Sequence, residues 1–371
     1  MPITLRAAAR TTSAACLAAL ASLSAYAFDG WHLLQSTAIA GHSTAWDYVS
    51  LDTGSNNLFI GHRKTGLQVF NVESQKFVKV IEGTTVASSN GAVLIPEFDL
   101  GISTNENGTL TPFSLKTLEA KPSIALGEEL DSAHYDPVTK RLLVNMAADK
   151  DGVGLLVLEV PSLKTLGTIR LSTKKPEHAQ ADGKGNLLMA SRDEDMVYRI
   201  DMRDMKVSAR WPAPGCAQTN GLAFDAASQR IFLGCRGTAP VAALTTPGPV
   251  TKPAFAVMNA QTGAVIYTQE MAGGNDTVVF DADLKRVFLA NGVNSQLAVF
   301  EQVDADHYKA VESLGTANGV RTMAMHPVSK KIYAVTSEGS ADYGKKITTS
   351  VSPYYANVFF PDRFTVLTYG K

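Results

Sequence analysis

The stretch TVVFDADLKRVFLAN, residues 277–291, decides the fold: an apolar strand ends at Asp281, a short polar turn follows, and a second apolar strand begins at Arg286. The phrase recurs. It reads YVSLDTGSNNLFIGH at 48–62, SAHYDPVTKRLLVNM at 132–146, HAQADGKGNLLMAS at 178–191, GLAFDAASQRIFLGC at 221–235 and TMAMHPVSKKIYAVT at 322–336. The turn residues are Asp52, Asp136, Asp182, Asp225, Asp281 and His326, separated by 84, 46, 43, 56 and 45 residues. The first gap is two units, so a degenerate copy is expected near SSNGAVLIPEFDLGIST at 88–104, where the Asp turn is lost.

Seven units of about forty residues, each with a further strand pair such as LQVFNVES at 67–74 and KFVKVIEG at 76–83, predict an all-β, seven-bladed propeller of four-stranded blades. The last unit supplies strands near Thr322 to Pro327, Lys331 to Thr336 and Phe364 to Tyr369, and lacks a fourth. Trp31 to Ile39 is free to fill that place as an outer strand, closing the ring with both ends of the chain. Thr238 to Pro253 and Gly339 to Asp362 are long inserts between second and third strands, a position that puts both on the face carrying the loops from blade to blade.

Composition agrees with one globular domain over 28–371: 45% hydrophobic, 19% charged, and 34 Lys and Arg against 35 Asp and Glu. Residues 1–27 read as a signal peptide. Arg6 and Arg10 precede an Ala-rich apolar run, and Ala25-Tyr26-Ala27 offers a small-x-small cleavage site, so a periplasmic or secreted location is expected. Loss of the two arginines takes the net charge from −1 to −3. This balance argues against a protein built to hold polyanions, and no apolar run predicts a membrane span in 28–371. Cys216 and Cys235 remain, and two cysteines in an exported chain suggest one disulfide.

Counting five residues back from each turn gives Asp47, Asp131, Glu177, Asn220, Asp276 and Arg321, polar positions on strands whose other inward residues are apolar. Ring symmetry gathers them at one channel mouth. Pairing across the turn sets Asp47 opposite Arg63, Glu177 opposite Arg192 and Asn220 opposite Arg236. Such pairs either hold blade geometry, at ~0.2 to 1 kcal/mol each, or contact a ligand. Asp131 and Asp276 face Ala147 and Gly292, and Arg321 faces Ser337, so these three are expected to lack charge partners and to be the better ligand contacts. His178 adjoins Glu177 and is placed at the mouth with them. The chain has no GxSxG, HExxH, phosphate loop or dinucleotide fingerprint, which leaves no nucleophile or base to name.

Trp46-Asp47-Tyr48, Lys175-Pro176-Glu177 with Ala181-Asp182-Gly183-Lys184-Gly185, Cys216 with Gly221-Leu222-Ala223 and Gly234-Cys235, and Arg321-Thr322-Met323-Ala324 together resemble the YncE-like, YVTN-repeat propellers of bacteria. The resemblance covers nearly all of 28–371. It implies a seven-bladed periplasmic propeller, and for some members single-stranded DNA binding, which the net charge here does not favour. The leading expectation is a non-catalytic binding or scaffold protein holding a small molecule or a periplasmic protein. A second rests on Asn220-Gly221-Leu222, which resembles a segment of the gluconolactonase group of propellers. It implies a hydrolase using calcium or another divalent cation, with Glu177, Asn220, Asp276 and Asp131 as candidate oxygen donors.

Overall fold

The computed structural model describes residues 29–127, 129–238, 250–348 and 353–371. The expected signal peptide and most of the Thr238 to Pro253 insert lie outside the described residues. Seven four-stranded antiparallel sheets follow one another around a ring, a seven-bladed β-propeller. Blade five is representative: Thr219–Asp225, Arg230–Cys235, Ala254–Asn259 and Val265–Glu270 pair in chain order from the inside outward. Both faces of a middle strand such as Arg230–Cys235 are covered by neighbouring blades, so its apolar run is continuous. The outer strand Lys206–Pro212 alternates between exposed and half-buried residues instead.

Apolar packing lies between blades, not within them. Leu188, Ala190 and Val197 of blade four meet Leu222, Phe224 and Leu233 of blade five, and Phe232 and Phe255 of blade five meet Leu289 and Phe300 of blade six. Close approach requires small residues: a Cβ on Gly234 would fall 1.7 Å from Asn275 Oδ1 of the next blade.

The Asp turns have a local cause. Asp136 Oδ2 accepts from Thr139 N at 2.9 Å, Asp182 Oδ1 from Lys184 N at 2.7 Å and Asp281 Oδ1 from Leu284 N at 2.9 Å. His326 substitutes with Nδ1, which accepts from Val328 N at 3.2 Å. Blade two is degenerate because a 3-10 turn, Pro96–Phe98, replaces this device between Ser89–Ile95 and Leu100–Asn105.

The ring closes as expected. His32–Ala38 pairs antiparallel with Pro353–Gly370, from His32 opposite Gly370 to Ala38 opposite Thr365, and forms the outer strand of blade seven. Trp31 is buried edge-on against Phe288 of blade six at 5.1 Å, so the N-terminal segment also seals the seam between blades six and seven. Cys216 and Cys235 are disulfide-bonded, tying the loop entering blade five to the end of its second strand. By the chain-entropy argument such a loop contributes about 3 kcal/mol.

The Gly339 to Asp362 insert extends the middle strands of blade seven, Ile332–Thr348 and Pro353–Gly370, as a long hairpin. Phe359 packs on Trp46 at 4.8 Å and Asn357 Nδ2 donates to Asn318 Oδ1 at 2.6 Å, at the seam of blades seven and one.

Closure makes a stability prediction. Trp31→Ala is expected to cost about 3 to 5 kcal/mol, the range for truncating a buried large aromatic. A calorimetric melting temperature equal to that of the unaltered protein would show that the segment does not close the ring.

Candidate functional site

At one end of the ring the innermost strands leave a cavity of about 560 Å³. Its lining includes Asp47, Arg63, Glu129, Asp131, Lys174, Lys175, Glu177, Arg192, Arg236, Asp276 and Arg321, gathered from six blades. The expected polar ring therefore converges. A backbone irregularity recurs at its members: strand register shifts between Ser89 and Gly91, Leu130 and Ala133, Pro176 and Ala179, Thr219 and Gly221, and Asn275 and Thr277. Each shift brackets the polar position, so that residue leaves the ladder and turns toward its neighbours.

Two of the three expected cross-strand pairs form within their blades. Arg63 Nη2 lies 2.5 Å from Asp47 Oδ2, and Arg192 Nη1 lies 3.0 Å from Glu177 Oε1. The third does not. Arg236 Nη2 reaches Asp276 Oδ1 of blade six at 2.5 Å, and Asn220 Nδ2 donates to the same oxygen at 2.9 Å. A carboxylate offers Arg236 a charge-assisted bond that the Asn220 amide opposite it does not.

The expectation that Asp276 and Arg321 lack charge partners is thereby corrected. Arg321 Nε lies 2.8 Å from Asp276 Oδ2, while its guanidinium donates to Trp46 O at 2.5 Å and stacks over the Trp46 ring at 5.3 Å. Cross-strand counting missed these bonds because they run between blades. Gly292 is part of the arrangement: a Cβ there would fall 2.8 Å from Arg321 Cβ. Asp131 alone behaves as expected, with no ion pair or side-chain hydrogen bond among the described residues.

His178 is also corrected. It shares a strand with Glu177, and adjacent strand residues point to opposite faces. Its ring meets His134 edge-on at 5.8 Å and lines, with Ser50 and Ser132, a smaller cavity distinct from that of the mouth. Burial lowers His178 to about 4 and His134 to about 3, so both are neutral at pH 7.

Several residues here escaped the repeat count. Asn90 is the blade-two member of the ring, bonded to Arg63 and donating to Leu130 O at 2.6 Å, and was hidden with the lost Asp turn. Glu106 pairs with Arg63 Nη1 at 2.5 Å. Glu129 and Lys175 lie two residues before Asp131 and Glu177, a regular spacing that was available in the sequence. Asn145 and Tyr48 carry no such signal.

The metal set is not brought together. Both Asp276 oxygens face cationic donors, Asn220 presents its nitrogen to Asp276, and Glu177 faces Arg192. Among the described residues no group of three or more His, Cys, Asp or Glu is placed to hold a metal ion. The structure gives no support to the calcium-dependent reading.

No family model and no curated relative matches the chain. Among solved structures, a chain from a crystal structure of a mitotic checkpoint complex superposes with a TM-score of 0.65 at 11% identity, over 97% of this chain and 98% of that one. This is a likeness of fold. No helix among the described residues is long and apolar enough to cross a membrane.

Crowding of carboxylates has a pH consequence. Burial pushes Glu177 up to about 8 and Asp47 up to about 7, against the lowering effects of Arg192 and Arg63, and Asp131 and Asp276 push both further up. The folded chain thus binds these protons more tightly than the unfolded chain. Their contribution to stability is complete below the ordinary carboxylate range and is lost as pH rises through 7 to 8. The melting temperature is expected to fall between about pH 5 and about pH 8.5, and Glu177→Gln to flatten that fall. An equal slope in the variant would contradict this account.

Proposed function

We propose that the protein is an exported binding or scaffold propeller of the YncE-like, YVTN-repeat kind, which takes a small polar ligand in its mouth cavity. The observation that carries this reading is the cavity itself. Its volume, about 560 Å³, falls in the range of small-molecule sites, and eleven of its seventeen lining residues are charged. A rigid ring that holds six blades' side chains around one concavity suits recognition without reorganisation. A protein partner fits the fold as well, since the structural neighbour comes from a protein complex, but a deep charged cavity favours a small molecule. Single-stranded DNA is less favoured: Arg63, Arg192, Arg236 and Arg321 all face carboxylates, and the net charge without residues 1–27 is −3.

A thermal-shift panel of amino acids, diamines, carboxylic acids, sugar phosphates and nucleotides tests the mouth. At least one class is expected to raise the melting temperature. Ala147→Trp, at an exposed position lining the cavity, should abolish the shift, and Ala226→Trp, in a turn on the opposite face, should preserve it. Shifts that survive Ala147→Trp would place the ligand elsewhere. Export is checked by N-terminal sequencing of protein recovered from a bacterial periplasm, expected to begin at Phe28; retention of residues 1–27 in the cytoplasm would overturn it.

A further inference from the structure

Among the four repeat-position carboxylates of the mouth, only Asp131 has no ion pair or side-chain hydrogen bond among the described residues. Asp47 holds Arg63, Glu177 holds Arg192, and Asp276 holds both Arg236 and Arg321. Around Asp131 the second-strand position is Ala147, and Arg63, Lys175 and Arg192 act only at longer range. Their pull does not offset desolvation, which raises Asp131 from the ordinary aspartate value.

A second unpaired acceptor lies across the same register shift. Asp131 and Ser132 fall between the paired positions Leu130–Met146 and Ala133–Val144, opposite Asn145. Asn145 lines the cavity and is fully buried. Its Nδ2 donates to Ser132 Oγ at 2.8 Å, and Ser132 Oγ lies 3.1 Å from His134 Nε2.

The backbone at Glu177 and Ala179 favours protonation of the His134 ring against its burial, and Ser132 Oγ receives the Asn145 amide N–H. Asn145 Oδ1 is left over, buried and without a hydrogen-bond partner among the described residues. An unsatisfied buried acceptor destabilises the fold unless something donates to it.

At this corner of the cavity two acceptors thus lack a bonded donor among the described residues, although Lys174 and Lys175 line the same cavity. From this we propose that the mouth binds its ligand through a cationic amine, an ammonium or guanidinium group whose N–H donors are received by the Asp131 carboxylate and by Asn145 Oδ1. An ammonium supplies three donors and one positive charge, which suits one carboxylate, one amide oxygen and either water or Glu129 at the rim. Calcium needs about six to eight oxygen ligands and is poorly served by this corner. The inference rests on the mouth being the ligand site and specifies which chemistry it takes.

Calorimetric titration with putrescine, with Nα-acetyl-lysine amide and with uncharged butanediol tests it. At least one amine is expected to bind, butanediol is not, and Asp131→Asn should weaken amine binding at least about tenfold. Binding of putrescine alone points to a free small amine, and binding of the lysine amide alone to a partner's side chain; either supports the inference. Without ligand, Asp131→Asn should leave the melting temperature unchanged or raise it, because the charge it removes has no partner. Absence of binding by both amines, undiminished binding to Asp131→Asn, or a lower melting temperature of that variant would overturn the inference. If other compounds bind at the mouth while both amines fail, the amine assignment falls and the mouth remains the ligand site.

Discussion

A blade with two apolar faces needs a neighbour on each side, and a chain of such blades satisfies that need at its ends only by closing into a ring. Every other feature of the protein follows from this constraint. It gives the middle strands continuous apolar runs, because neither face meets water. It demands small residues such as Gly234 where one blade's backbone passes another's side chains. It also recruits the N-terminal strand His32–Ala38 to the last blade, so that Trp31 fills space between blades six and seven. Antiparallel pairing of the two chain ends, not a loop, holds the circle shut.

Closure fixes where charge can go. The innermost strands converge, and the four acids among their entry residues, Asp47, Asp131, Glu177 and Asp276, lie too close together to ionise independently. The register shifts turn these residues out of their ladders, and the ion pairs that result cross between blades as well as within them. Arg236 and Arg321 meet at Asp276 from the two sides, joining blades five, six and seven through one carboxylate. Pairs of this kind resist opening of the ring where apolar packing thins toward the channel. They also dispose of most of the cationic charge, which is why the mouth does not present a basic arc despite its four arginines.

Much of this architecture was legible in the sequence because the repeat is written twice, in the apolar strands and in the Asp turns. The six Asp and His turns located six blades, the double gap located the seventh, and the five-residue offset found Asp47, Asp131, Glu177, Asn220, Asp276 and Arg321. Partner choice was not legible. Cross-strand counting assumes an unbroken ladder, and each polar position interrupts it, so Asp276 was read as unpaired when two arginines from neighbouring blades hold it. His178 was misplaced for a simpler reason: sequence adjacency to Glu177 puts it on the opposite face. Asn90 disappeared with the turn that would have counted it, since Pro96–Phe98 follows a different geometry. Asn145 had no repeat signature, because its role comes from standing opposite the two residues of a shift.

The contrast between Asp276 and Asp131 bears on what the mouth is for. Both occupy the same repeat position, both face a small residue across the turn, and neighbours shape both environments. Asp276 receives hydrogen bonds from Asn220 and Arg236 and pairs with Arg321 as well, as a carboxylate near the centre of a ring requires if it serves the fold. Asp131 receives none, although Lys174, Lys175 and Arg192 line the same cavity. A half-buried carboxylate without a partner lowers stability, and a substitution to Asn or Ser would remove that cost in one step. Fold stability therefore gives no reason for an acid at this position. Binding does, because a carboxylate already stripped of part of its water and not committed to a protein cation is poised to receive one from outside.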